Sequence, residues 1–255
     1  MQEKSTVVNV WGMLLDILFP RHCLGCSALL ASDSAHRYVC VKCFVRIEHV
    51  PSIRCAFCQN GTPNGETCRF CRSDHALDRL FVVADYGDPF IVRIVKALKY
   101  RFAREVAKDM GASMITYLKP RLAKLRIDHT AIIVIPIPLH PSRKRWRGFN
   151  QAELLAECIS DGLDLQMRTN VLVRTKSTNP QADIEDRLAR IKNSESLFAL
   201  AVAPLNSEPA VRPLSGKTVL LVDDVSTTGG TLDSATRVLK DAGATTVIGF
   251  VFARG

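Results

Sequence analysis

Residues 219–232 read V-L-L-V-D-D-V-S-T-T-G-G-T-L. The apolar run 219–222 predicts a buried strand of a parallel sheet. Two adjacent carboxylates, Asp223 and Asp224, follow at its C-terminal end. Ser226, Thr227, Thr228, Gly229, Gly230 and Thr231 then make a small-residue turn, after which Leu232, Ala235, Val238 and Leu239 recur at helical spacing. Strand, turn and helix N-terminus together predict an anion site. Free backbone N–H groups and the helix dipole face the loop, and glycine lets a phosphate approach closely. A nucleotide P-loop would carry a lysine before its Ser/Thr. Here acids precede the loop, which suits a sugar phosphate: carboxylates for the hydroxyls, the loop for a 5′-phosphate. The competing reading is an ordinary strand-turn-helix unit.

On either side of this run, strands alternate with helices. Apolar stretches predict strands at 80–85, 131–137, 171–173, 196–200 and 247–252, the last completing one sheet with 219–222. Helical spacing appears at 90–98, 104–118 and 151–159; a break near 100–103 keeps Lys99 out of the apolar arc. The pattern predicts a parallel α/β domain. Residues 203–215 hold Pro204, Pro209 and Pro213 and read as a surface loop. The polar stretch 174–196, with Asn179, Pro180, Gln181, Arg187 and Asn193, reads as a lid over the ligand.

The chain has 255 residues and a net charge of +9, enough for one large domain or a domain plus a small module. Residues 91–147 hold fourteen Lys/Arg against three Asp/Glu, a local excess of +11. That excess implies an anionic partner such as pyrophosphate, a nucleotide or a nucleic acid, and solvated helix faces account for part of it. Arg143, Lys144, Arg145 and Arg147 cluster with Trp146 and Phe149 interleaved. Arginine forks there could clamp pyrophosphate. The cluster could equally hold single-stranded nucleic acid, with the aromatics stacking on bases. A third reading makes Phe149 a core residue and leaves the arginines solvated.

The apolar stretch 7–19 is preceded by Glu3, interrupted by Asp16 and followed by no small-residue cleavage site. It is too short to span a bilayer and predicts an amphipathic helix on a cytoplasmic protein. In a reducing compartment the cysteines are not a disulfide framework.

Eight of the nine cysteines form four C-x-x-C pairs: Cys23/Cys26, Cys40/Cys43, Cys55/Cys58 and Cys68/Cys71. Each pair offers two thiolates from one knuckle, and two knuckles complete a tetrahedral site, so two structural zinc ions are expected. Sequential pairing closes the shorter loops and is favoured; interleaved pairing also satisfies the chemistry. Cys158 sits in an apolar helical stretch and reads as core. The chain therefore divides into a metal module, residues 1–75, and an α/β domain, residues 76–255.

The 219–232 run resembles the phosphoribosyl-diphosphate (PRPP) motif of type I phosphoribosyltransferases. That resemblance implies that Asp223 and Asp224 hold the ribose hydroxyls and that residues 226–231 hold the 5′-phosphate. It also implies Mg²⁺ bound with PRPP. Lys99, Arg143, Arg145, Arg147, Gln181 and Arg187 are then candidates for the pyrophosphate and the lid. The whole chain, from about residue 14 to 253, is similar to the ComF family of competence proteins, which join a double zinc ribbon to a phosphoribosyltransferase-like domain. The resemblance is carried by the Cys23-Leu24-Gly25-Cys26 start, the later cysteine pairs and Leu98-Lys99-Tyr100. It continues through Pro136-Ile137-Pro138-Leu139-His140, Arg147-Gly148-Phe149-Asn150-Gln151, Pro180-Gln181, Arg187, Asn193, Phe198 and the PRPP run. It implies a role in DNA uptake for natural transformation, with single-stranded DNA and other uptake proteins as partners. It fits a place in the cytoplasm or at the inner face of the membrane, without stable insertion. Two alternatives stand beside a PRPP-dependent transferase of this kind: a non-catalytic PRPP sensor or nucleic-acid scaffold, and a nucleotide-salvage phosphoribosyltransferase.

Overall fold

The segment Ile132–Pro136 is buried at all five positions, a pattern that only a strand covered on both faces tolerates. In the computed structural model, which describes residues 20–30, 38–47, 50, 54–100, 103–175, 197–201 and 214–255, this segment lies inside a parallel sheet. The strands are β1 (Arg79–Asp85), β2 (Ile132–Pro136), β3 (Gln166–Met167), β4 (Leu172–Arg174), β5 (Phe198–Leu200), β6 (Thr218–Ser226) and β7 (Thr246–Arg254). Five of them form one parallel sheet in the order β1-β7-β6-β2-β3. The helices are α1 (Val41–Val45), α2 (Pro89–Leu98), α3 (Ala103–Leu125), α4 (Pro141–Arg147), α5 (Gln151–Leu163) and α6 (Gly230–Asp241).

Alternation along each strand sends side chains to two cores. Phe81, Val134, Val222 and Phe250 meet Ile94 and Leu98 of α2, Met110 and Tyr117 of α3 and Leu155 and Ile159 of α5. Leu80, Ile133, Leu221 and Val251 meet Leu232, Ala235 and Leu239 of α6 on the other face. Local chemistry sets the helix starts. The Asp88 side chain accepts from the Phe90 N–H ahead of α2, with Pro89 in the first turn. The Asn150 side chain accepts from the Ala152 N–H at 3.2 Å and donates to the Ile137 carbonyl at 2.9 Å, tying α5 to the chain after β2.

The structure corrects three expectations. Residues 171–173 and 196–200 do not join the main sheet. As β4 and β5 they pair antiparallel in a separate ribbon that adds Leu172 and Phe198 to the α6-side core. The main sheet ends instead on the two-residue β3. The second long helix runs to Leu125, beyond 118, through Pro120. Proline forfeits one helix bond, but Leu122 is buried and the Arg121 guanidinium donates to the Tyr117 carbonyl at 2.7 Å, which keeps the last turns in register. Finally, residues 141–147 form a helix, α4, that apolar periodicity did not announce because none of its residues is buried.

Among the described residues no helix is long and apolar enough to cross a membrane. The expected helix at 7–19, the lid residues Gln181 and Arg187 with Asn179, Pro180 and Asn193, and most of the 203–215 loop lie outside the described residues.

Candidate metal centres and anion loop

The four pairs assemble sequentially. The sulfurs of Cys23, Cys26, Cys40 and Cys43 lie within 4.8 Å of one another, as do those of Cys55, Cys58, Cys68 and Cys71. The Cys26–Cys40 and Cys58–Cys68 Sγ separations are 3.7 and 3.6 Å. A tetrahedron with Zn–S bonds of about 2.3 Å has sulfurs about 3.8 Å apart, so both clusters fit structural zinc. Backbone N–H groups aim at the sulfurs: Cys40 and Gly25 donate to Cys23 at 3.2 and 3.3 Å, and Cys68 donates to Cys55 at 3.4 Å. Against burial, which raises them, these amides bring the Cys23 and Cys55 thiols down to about 6. Burial and neighbouring thiols push Cys43 and Cys71 up to about 12. A cation bound by either cluster would displace the thiol protons that remain. Cys158 is only partly buried. It packs against Gly111 with its Sγ 3.6 Å from the Ala107 carbonyl, and burial raises its pKa.

The anion loop is tighter than the sequence suggests. β6 continues past Val222 through both acids to Ser226, because β7 offers partners as far as Arg254. Ser226 is therefore a buried strand residue. Thr227 and Thr228 are exposed, and Gly229 adopts φ +81°, a left-handed conformation suited to glycine. Gly230 and Thr231 open α6, whose N-terminus carries no side-chain cap. The Gly230 N–H donates to Thr228 Oγ1 at 3.4 Å, and the other first-turn N–H groups are available to a ligand.

Asp223 and Asp224 occupy successive strand positions, so their side chains leave opposite faces of β6. Each meets its own cation. Lys99, just past α2, has its Nζ 3.7 Å from Asp224 Oδ2. Arg147 feels the Asp224 charge, and Arg174 at the end of β4 feels that of Asp223. Desolvation holds both guanidinium pKa values below the ordinary one despite those carboxylates. The Arg147 Nε is buried without a hydrogen-bond partner among the described residues. Loss of hydration, and then the Asp224 charge, push the Asp223 carboxyl well above the usual range. The site therefore holds an ionisable pair that the fold itself disfavours, a condition common at ligand sites.

The 143–147 cluster divides. Arg143 and Arg147, one helical turn apart, are half-buried, and each is electrostatically coupled to residues of the Asp223/Asp224 site. Arg145 is exposed, Lys144 lies 3.4 Å from Glu153, and Trp146 stands 82% exposed. Phe149 is half-buried and packs against the α2/α3/α5-side core, which favours its reading as a core residue. Arg174 was missed. Its signal was a lone cation closing the apolar stretch 171–173, which the sequence reading assigned to the polar segment that follows.

Comparisons with known proteins agree with this architecture. Residues 14–72 match the double zinc ribbon domain family and residues 152–255 the phosphoribosyl transferase domain family. Competence protein F of Haemophilus influenzae is 28% identical over 80% of this chain and 91% of its own. DNA utilization protein YhgH of Escherichia coli O157:H7 is 30% identical over 66% and 69%, and competence protein ComFC of Bacillus subtilis 25% over 91% and 94%. The purine phosphoribosyltransferase of Pyrococcus horikoshii aligns with 57% of this chain at 17% identity and a TM-score of 0.33, which leaves the fold assignment to the sheet and the family match. With two Cys₄ clusters ahead of a phosphoribosyltransferase-like parallel sheet, and with these relatives, the chain belongs to the ComF family.

Proposed function

We propose that this protein binds PRPP at the end of β6 and works in the uptake or use of DNA as a PRPP-dependent transferase. The DNA role is suggested by the names of its relatives. The observation that carries the ligand reading is the ring of charge around an uncapped helix start: Asp223 and Asp224 with Lys99, Arg147 and Arg174 about them. The N–H groups of residues 227–231 would hold the 5′-phosphate. The two acids would take the ribose hydroxyls and offset positive charge on the sugar as pyrophosphate leaves C1. An acceptor nitrogen then forms the new bond at C1. Arg143, Arg147 and Lys99 would neutralise the departing pyrophosphate. Mg²⁺, bound with the diphosphate, would supply further charge neutralisation. Residues 1–75 are read as the metal module and 76–255 as the transferase domain, in a protein placed in the cytoplasm or at the inner membrane face.

Calorimetric titration with PRPP and Mg²⁺ tests the ligand. Saturable binding is expected, and Asp223→Ala with Asp224→Ala should abolish it. Absence of binding at millimolar PRPP would remove the proposal. Pyrophosphate release with a panel of bases and DNA distinguishes a transferase from a PRPP sensor, which would bind without release.

A second reading has its own observation. Trp146 is an exposed indole on the outward side of α4, beside Arg145 and Lys144. That face suits single-stranded DNA, with the cations on phosphates and the indole under a base. Trp146→Ala should then cost roughly 1–3 kcal/mol of oligonucleotide affinity. Affinity should also fall with salt, with a log–log slope of about −0.7 per phosphate contact. A flat salt response would leave α4 to the pyrophosphate alone.

A further inference from the structure

The second cysteine cluster touches the anion loop. A Cβ placed on Gly229 would lie 3.2 Å from the Phe57 ring and 3.6 Å from the Ala56 carbonyl oxygen. Ala56 and Phe57 are the two residues inside the Cys55/Cys58 knuckle. Arg254, the β7 partner of Ser226, donates to that same Ala56 carbonyl. The loop is thus flanked by the knuckle at its glycine and tied to it through the strand beside its first residue.

The other knuckle reaches the same place. His75 follows Cys71, and its N–H donates to the Cys71 carbonyl at 3.1 Å. Its ring stacks on Phe57 with centroids 3.5 Å apart and planes 2° from parallel. Its Nδ1 lies 3.2 Å from Asp233 Oδ2 in the first turn of α6. The other Asp233 oxygen accepts from the N–H groups of Ala76 and Leu77 at 2.7 and 3.0 Å, and the Asp233 N–H donates to the Gly229 carbonyl at 2.9 Å. Phe57 therefore comes from inside one knuckle and His75 from the turn that follows the other, and their stack spans the loop–helix junction. The knuckles are separate chain segments. A metal shared by their four sulfurs would add a direct tie between the two segments.

We propose that Phe57 and His75 are positioning residues for the anion loop, so that the metal at Cys55, Cys58, Cys68 and Cys71 sets the affinity of the loop for its sugar phosphate. The ligand half rests on the PRPP reading; the mechanical half does not. Gly229 sits where the chain passes from strand to helix, and its φ of +81° is one of several a free glycine would sample. A ring packed against it selects the conformation that aims the first-turn N–H groups, and a ligand gains affinity when its site is held in the binding conformation beforehand.

The test uses the full chain with both metals. Phe57→Ala is compared with wild type, with Phe57→Tyr as the ring-keeping variant and with Leu24→Ala, a truncation inside the Cys23/Cys26 knuckle of the first cluster. Amide hydrogen exchange over residues 227–232 is read without ligand, affinity is read by titration with ribose 5-phosphate, and zinc is counted by elemental analysis. Phe57→Ala should speed loop exchange and weaken ribose 5-phosphate by about tenfold, a size usual for coupled sites. Phe57→Tyr should restore both, and Leu24→Ala should leave both as in wild type. Unchanged exchange and affinity in Phe57→Ala would overturn the inference. Faster exchange in a protein whose wild type takes no ribose 5-phosphate would support the brace and overturn the ligand reading.

Discussion

The two cysteine clusters have the same ligands, the same sequential pairing and the same split between a low and a high thiol pKa. They differ in what they touch. The first lies on the helices of one sheet face. Arg93 of α2 donates to the carbonyls of Leu24 and Gly25 at 2.8 and 3.0 Å, and the Tyr38 N–H donates to Asp109 of α3 at 3.1 Å. Cys23, Leu30, Val39, Cys43 and Ile47 join the core beneath those helices. The second cluster lies on the opposite face, where Ala56 and Phe57 pack with the α6 core, beside the loop. One motif used twice thus gives a piece of core in one place and a neighbour of the ligand site in the other. Ligand chemistry fixes the metal, and the residues between and beside the cysteines fix the consequence.

The largest expected effect breaks the first cluster. Cys26→Ser with Cys40→Ser removes a site whose zinc carries on the order of 10 kcal/mol of binding free energy. Because Cys23 and Cys43 are part of the sheet's own core, calorimetry should show the entire cooperative transition shifting to much lower temperature. A separate early transition confined to residues 20–47, with the remainder unmoved, would show that the first cluster does not support the core.

Two glycines sharpen the comparison at smaller scale. A Cβ at Gly25 would lie 2.6 Å from Cys43 Sγ and 2.9 Å from the Phe90 ring. Gly25→Ala should therefore cost roughly 1–3 kcal/mol by overpacking and lower the zinc content. Gly229→Ala adds a left-handed alanine, at roughly 1–2 kcal/mol, and should weaken sugar phosphate while both zinc ions stay. Denaturant melts paired with metal analysis separate the two patterns; equal zinc loss in both variants would erase the distinction.

The smallest effect has the opposite sign. Loss of hydration and the Asp224 charge raise the Asp223 pKa in the fold, so the folded state favours its protonated form. Ionisation at neutral pH then costs stability, and that cost disappears as pH falls through the raised pKa. Asp223→Asn should melt higher than wild type near neutral pH, by roughly 2–4 °C for each kcal/mol relieved in a protein of this size. The gap should close on acidification, when the wild-type carboxyl is itself neutral. A variant that melts lower at neutral pH would contradict the unfavourable burial of Asp223.

Much of this was legible because local chemistry dictates it. C-x-x-C knuckles close the shortest loops when they pair with their neighbours, and an apolar run ending in acids and glycines makes a strand, a loop and a helix start. The apolar arc placed a helix break just after Lys99, the Leu98-Lys99-Tyr100 resemblance made it a site candidate, and it lies 3.7 Å from Asp224. What stayed hidden depends on distant partners. Arg174 gains its place only through the pairing of β4 with β5, and the Phe57–His75 stack joins segments with no shared periodicity. The division of α4 was within reach: Arg143 and Arg147 stand four apart and share a face once residues 141–147 are read as a helix. Phe149 packs on the core, one of the three readings that its place beside the cations left open.

The strand order has a consequence for synthesis. Among the described strands β1 pairs with β7 alone, and the contact that ties Asp78 to Val247 spans 169 residues. At roughly 5–20 residues per second, a nascent chain waits on the order of ten seconds or more between making β1 and making the strand that covers its edge. All eight cluster cysteines precede β1. Metal capture can therefore be complete on the ribosome while the sheet still lacks β7, the last of its described strands to be made, and a shortage of zinc would be felt before β1 has its partner.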